Sequence, residues 1–175
     1  FWVDERCVPE NDERNNAYRA RILLLDKIPI PSENVFLIPV NIEPAEAARQ
    51  YEATIKKIFG NLPPIFDFVL LGLGENGHTA SLFPDTKVLH EKTVLVKEVY
   101  VQEQKMYRIT MTAPLLNLAR NILFMVTGKS KAEILKTVLE GQVETDKYPA
   151  QLIKPIAGNL WWFADKAAAA DLSAA

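Results

Sequence analysis

His78 is the residue best suited to move a proton near neutral pH, and it is one of only two histidines in the chain. It stands inside the run Gly72-Leu-Gly-Glu-Asn-Gly-His-Thr-Ala-Ser-Leu-Phe-Pro84, a glycine-dense loop with an imidazole at its edge. An imidazole can take a proton from water and return it to a leaving oxygen, which is general acid–base chemistry. Arg6 follows Asp4 where the apolar run Phe1–Val3 opens onto charge. A guanidinium there can meet a developing oxyanion, and Asp4 can orient Arg6 or His78. Arg108 and Lys131 are the candidate anion ligands, one a planar fork and the other a point charge. Lys131 falls in the first turn of an expected helix, where free amides and the dipole also favour an anion.

Gly72, Gly74 and Gly77 spell G-x-G-x-x-G behind an apolar run, the pattern of a dinucleotide site, and Glu98 lies near the spacing of a ribose-binding acid. That site needs a long helix opening at the third glycine, and Pro84 stops any helix too soon. The loop reads instead as bare backbone that a small ligand can approach closely, with His78 beside it. Ser81 lacks the strand–elbow–helix of a serine nucleophile and reads as a helix-start hydroxyl. Cys7 adjoins Arg6, which can lower a thiol pKa, but no base is placed near it, so it reads as a small buried residue. Glu5 reads as a surface charge, His90 as solvent-facing, and Trp161 and Trp162 as core.

The 175 residues suit one domain, and 49% apolar with 24% charged is the profile of a globular protein. Formal net charge is −2, so nothing argues for nucleic acid. One cysteine cannot make an internal disulfide, and no Cys/His spacing suggests zinc. No apolar run approaches membrane-spanning length, and Asp4, Glu5 and Arg6 interrupt any signal-like start. A cytoplasmic enzyme is the expectation, without metal, membrane or nucleic-acid partner, monomeric or weakly self-associating.

These residues need elements to place them. Phe1–Val3 reads as a buried strand already under way. A helix is expected from Asp12, as its cap, to Leu25, and another from Pro44 to Phe59, stopped by Gly60. Val35–Ile38, Phe66–Leu71, Thr93–Val101, Tyr107–Met111, Ile122–Val126 and Leu160–Phe163 read as strands. Phe66–Leu71 is apolar throughout, which predicts cover on both faces. Short helices are expected over Pro114–Ala119, Ser130–Leu139 and Ala164–Leu172. Alternating strands and helices predict a doubly wound α/β domain over 1–175, with a mostly parallel sheet and helices on both faces. Ligands of such sheets bind at the carboxyl ends of the strands.

With the motif around His78 read out, the chain resembles the 6-phosphogluconolactonases. Phe1-Trp-Val-Asp-Glu-Arg-Cys-Val-Pro9 is similar to that family's strand and Asp-Glu-Arg loop, and Asn16 matches a usual asparagine. Arg108-Ile-Thr-Met-Thr, with Pro114, Leu116 and Asn117, is similar to a third motif. Thr127-Gly-Lys-Ser-Lys-Ala132 and Leu160-Trp-Trp-Phe-Ala-Asp165 are similar to two more. The resemblance implies a fold shared with glucosamine-6-phosphate deaminase and related sugar-phosphate isomerases. It also implies a phosphorylated sugar lactone as substrate, phosphate contacts at Arg108 and Lys131, and no cofactor. Asn76 stands where the family commonly has Asp; an amide can hydrogen-bond but cannot accept a proton. Family members also carry a Ser/Gly-rich phosphate loop after an earlier strand, so an upstream N-terminal segment is expected to be missing here. Two alternatives stay open: a deaminase or isomerase on the same fold, and a non-catalytic sugar-phosphate-binding module.

Overall fold

Antiparallel pairing brings Asp4 opposite Thr110 and Arg6 opposite Arg108 in a computed structural model that describes residues 1–173. The strands concerned are β1 (Asp4–Arg6) and β4 (Met106–Met111), with β3 (Val96–Val101) on the other side of β4. Side chains alternate across a strand, so this register puts Asp4, Arg6, Arg108 and Thr110 on one face. The expected opening strand thus lies one step later. Its ladder residues are the charged Asp4-Glu5-Arg6, while Val3 only accepts a backbone bond from Met111 (2.8 Å).

A second sheet is parallel, in the order β2-β5-β6, from β2 (Val69–Gly72), β5 (Asn121–Val126) and β6 (Asn159–Ala164). Its inner face carries Val69, Leu71, Ile122, Phe124 and Val126, all buried. Trp162 joins them, stacked on Phe124 with ring centroids 3.9 Å apart. The opposite face carries Leu70, Met125, Trp161 and Phe163, each at least half exposed. The α/β architecture is as expected. Two-sided cover of β2 is not, and Trp161 is not core, because residues of odd and even register in β6 face opposite ways.

Helix α1 runs Asn16–Leu23, shorter than expected, because Asn15 rather than Asp12 is its cap and accepts from the Tyr18 amide. Asp12 instead pairs with Arg14. Helix α2, Pro44–Phe59, has the expected bounds. Pro44 starts it, the Glu43 carboxylate accepts from the Ala45 and Glu46 amides, and Gly60 ends it at φ +61°. Its buried stripe, Ala47, Ala48, Tyr51 and Ile55, packs on β3 and β4. Glu52 on the same helix caps the start of β3 through the Leu95 and Val96 amides. Val35–Ile38 is extended without a ladder, and residues 166–171 form turns rather than a helix. Helix α3 is a single turn, Ala113–Leu116, and α4 is Ala132–Glu140 with Lys131 as its N-terminal cap position. No described helix is long and apolar enough to cross a membrane.

Candidate functional site

The loop after β2 closes on itself around the imidazole. The Gly74 amide donates to the His78 carbonyl (2.8 Å), and the Gly77 amide to the Gly74 carbonyl (3.0 Å). Gly77 takes φ +80°, a left-handed conformation that favours glycine. Gly74 is required for a different reason: a Cβ there would fall 2.0 Å from His78 Nδ1, inside the ring's own space. The glycines therefore make room for the histidine rather than for a ligand. With these two amides engaged inside the turn, Gly74 and Gly77 do not offer them to a substrate. Gly72 ends β2, and its carbonyl accepts from the Thr79 hydroxyl (2.8 Å). Among the described residues, the Glu75 and Asn76 amides, between Gly74 and Gly77, donate to no loop or side-chain acceptor.

Asn76 fixes the tautomer of His78. Its Oδ1 accepts from the His78 backbone amide (3.2 Å), a group that can only donate, so the atom facing the ring is the oxygen. The same oxygen lies 2.6 Å from Nδ1, which therefore carries the proton and leaves Nε2 with a free lone pair. Phe83 stacks flat against the other side of the ring, centroids 4.0 Å apart, and the Arg108 guanidinium carbon lies 5.2 Å from the Phe83 centroid. Burial first, then the charges of Arg108, Lys131 and Arg6, push the His78 pKa down from 6.5 to about 4. The charges of three cations, from β4, the start of α4 and β1, thus all disfavour the imidazolium.

Arg108 is buried and held from two sides. Its Nη1 donates to Asp4 Oδ2 and to Ser81 Oγ, both at 3.4 Å, and the Ser81 hydroxyl donates to Asp4 Oδ2 at 2.6 Å. On the other edge, Nε (3.1 Å) and Nη2 donate to Gln104 Oε1. Asp4 therefore orients Arg108 and Ser81, not Arg6 or His78 as expected. Ser81 is fully buried in this network rather than starting a helix, and Ala80 before it turns the chain at φ +49°. A left-handed alanine is strained, which marks a position the surroundings dictate.

Arg6 Nη1 donates to the Arg14 carbonyl (2.7 Å) and to Asn16 Oδ1 (2.8 Å), while its Nε is buried with no partner. A buried donor without a partner is uncommon and costs free energy. Glu5 corrects the expectation of a surface charge. It is 1% exposed and accepts from the amides of Arg6, Asn16 and Ala17, tying β1 to the start of α1. Burial raises its pKa, and those three amides oppose the rise. Lys131 Nζ lies 3.8 Å from Glu75 Oε1. The Gly128 amide before Lys131 donates to Asp165, the residue after β6, so two parallel strands anchor that corner.

Cys7 is no nucleophile: burial and the charges of Glu5 and Glu43 push its thiol up to about 11. His90 faces solvent near Asp146. Among the described residues, no group of three or more His, Cys, Asp or Glu side chains could hold a metal ion. A cleft of about 780 Å³ shares Asn76 and Phe83 with the site, but His78, Arg108 and Lys131 do not line it. Ser81, Gln104 and Glu5 escape sequence reasoning, because their roles come from long-range register or from a turn and not from local spacing.

Residues 1–162 match the model of the glucosamine-6-phosphate isomerases/6-phosphogluconolactonase family. The chain is 40% identical to a human 6-phosphogluconolactonase over 170 residues, covering 96% of this chain and 66% of that protein. It is 37% identical to a 6-phosphogluconolactonase of a Nostoc species, covering 99% of this chain and 72% of the relative. Its fold superposes on 6-phosphogluconolactonase from Trypanosoma cruzi with a TM-score of 0.86 at 27% identity, covering 99% and 72% of the two chains. The chain thus spans slightly less than two thirds of the human relative's length. Motif, fold and whole-chain similarity agree, and the chain belongs to the glucosamine-6-phosphate isomerase/6-phosphogluconolactonase family.

Proposed function

We propose that the protein hydrolyses 6-phospho-D-glucono-1,5-lactone to 6-phosphogluconate, a step of the oxidative pentose phosphate pathway, in the cytoplasm and as a monomer or weak homo-oligomer. The observation that carries this reading is His78 held by Asn76 through Nδ1, so that Nε2 keeps its lone pair, with the charges of Arg108, Lys131 and Arg6 acting on the ring. The names borne by the human and Nostoc relatives support the same substrate. Arg108 and Lys131 hold the phosphate, with the start of α4 adding its dipole. His78 Nε2 takes a proton from water as the oxygen attacks C1. The oxyanion forms against the Arg6 guanidinium and against the Glu75 and Asn76 amides. Imidazolium Nε2–H then donates to the ring oxygen as the C1–O bond breaks. One water is added and the base is regenerated.

Cations around a proton carrier disfavour imidazolium in the empty site. A bound phosphate dianion offsets them, so the base strengthens when the substrate is in place. Asn76 serves here as an orienting residue with no proton of its own to exchange. The test is lactone hydrolysis by the protein and by His78→Asn. The variant should lose about 100-fold or more in kcat, the range of a missing general base. Unchanged turnover would end the mechanism.

A further inference from the structure

Gln104 occupies the edge of Arg108 that an anion would take. It lies in the 3₁₀ turn Gln102–Gln104 that joins β3 to β4, and its carboxamide oxygen accepts from both Nε and Nη2 of the guanidinium. Two parallel donors on one edge are the fork that arginine offers a carboxylate or phosphate. The opposite side cannot serve, because Nη1 already faces Asp4 and Ser81. With the residue only 5% exposed, no other approach is open.

We propose that Gln104 is a displaceable cap that makes Arg108 selective for anionic substrates. The proposal rests on the reading that Arg108 meets the substrate's phosphate. In the free protein the neutral carboxamide satisfies the Nε and Nη2 edge of a buried cation, an edge that would otherwise lack an acceptor. A phosphate oxygen brings an opposite charge that the carboxamide lacks, adds coulombic attraction to the hydrogen bonds and takes the fork away. A neutral hydroxyl or carbonyl of an unphosphorylated sugar has no such advantage and leaves the cap in place. Specificity thus comes from a competitor built into the chain as much as from attraction. The turn is suited to yielding. Gln102, Glu103, Gln104 and Lys105 are all exposed, so the freed carboxamide meets water, and Lys105 holds the turn at φ +50°, a conformation rare for lysine.

The experiment measures binding of inorganic phosphate and of 6-phosphogluconate by calorimetry, with lactone KM and kcat, for the protein, Gln104→Ala and Gln104→Glu. Removing the cap should tighten both ligands and lower KM roughly threefold to tenfold, the reach of one modest hydrogen-bonding competitor. A carboxylate cap holds the fork and repels the anion, so Gln104→Glu should weaken binding by about tenfold or more. The opposite pattern, weaker binding in Gln104→Ala with Gln104→Glu unchanged, is what a mere support for Arg108 would give, and it would overturn the proposal. Indifference of both variants would overturn it too. Phosphate binding that follows the expected pattern without any lactone turnover would remove the lactonase reading and leave the cap standing. Lactone turnover with KM indifferent to both substitutions would do the reverse.

Discussion

At the scale of the residue, the proposed mechanism makes His78, oriented by Asn76, a base whose strength depends on what is bound. Burial and three cations hold the imidazole near a pKa of about 4 in the free protein. Since kcat/KM reports the free enzyme and kcat the complex, the acid limb of kcat/KM should lie at lower pH than that of kcat, because bound phosphate offsets the cations. Asn76→Asp places a carboxylate 2.6 Å from Nδ1, stabilises the imidazolium and should move the kcat/KM limb to higher pH. The substrate's own phosphate titrates near pH 6, so the residual rate of His78→Asn supplies the reference profile. A limb unmoved by Asn76→Asp would show that His78 is not the titrating group. The same shift acts on stability. The unfolded imidazole titrates near 6.5 and the folded one near 4, so between these values the unfolded state binds the extra proton. Acidification through that window therefore lowers stability. His78 stood out in the sequence as the candidate base, since few other groups titrate near neutrality. Its Nδ1–H tautomer and its depressed pKa were not legible there, since both come from neighbours that only folding assembles.

At the scale of the element, the clasp between β1 and α1 decides where Arg6 points. One carboxylate, Glu5, serves three amides, while Asn16 holds both Arg6 Nη1 and the Asp4 carbonyl (3.0 Å). Glu5→Ala would leave these amides buried without an acceptor, and the protein should lose about 1–3 kcal/mol of stability by chemical denaturation. Removing a buried charge offsets part of that cost. Because the clasp also positions Arg6, kcat should fall while KM changes little. A variant as stable and active as the parent would show the clasp to be incidental. Helix α2 was fully legible: Pro44, the apolar stripe and Gly60 are local signals that agree with one another. The strand at Asp4–Arg6 was not. Its charged residues read as a loop until the register with β4 shows two of them joining Arg108 and Thr110 on one face.

At the scale of the whole molecule, a parallel sheet and an antiparallel sheet each deliver part of the site. The parallel one supplies the His78 loop and the Lys131 corner at its carboxyl ends; the antiparallel one supplies Arg6 and Arg108. That division was hidden, because a strand pattern read along the chain does not say which neighbour it will pair with. Formal net charge is −2, so no long-range positive field draws an anion in. The attraction is local and partly buried, where salt screens weakly. Raising NaCl from about 0.05 to 0.5 M should therefore change kcat/KM by less than about threefold. A steep fall in the same assay would place the phosphate on exposed charges instead. Phe83 connects the two halves, lying flat against His78 and beneath Arg108. One flat side chain with two torsions of its own therefore sets the spacing between the proposed proton carrier and the proposed anchor. On that mechanism a change of shape at this single position would alter the span that a substrate has to bridge.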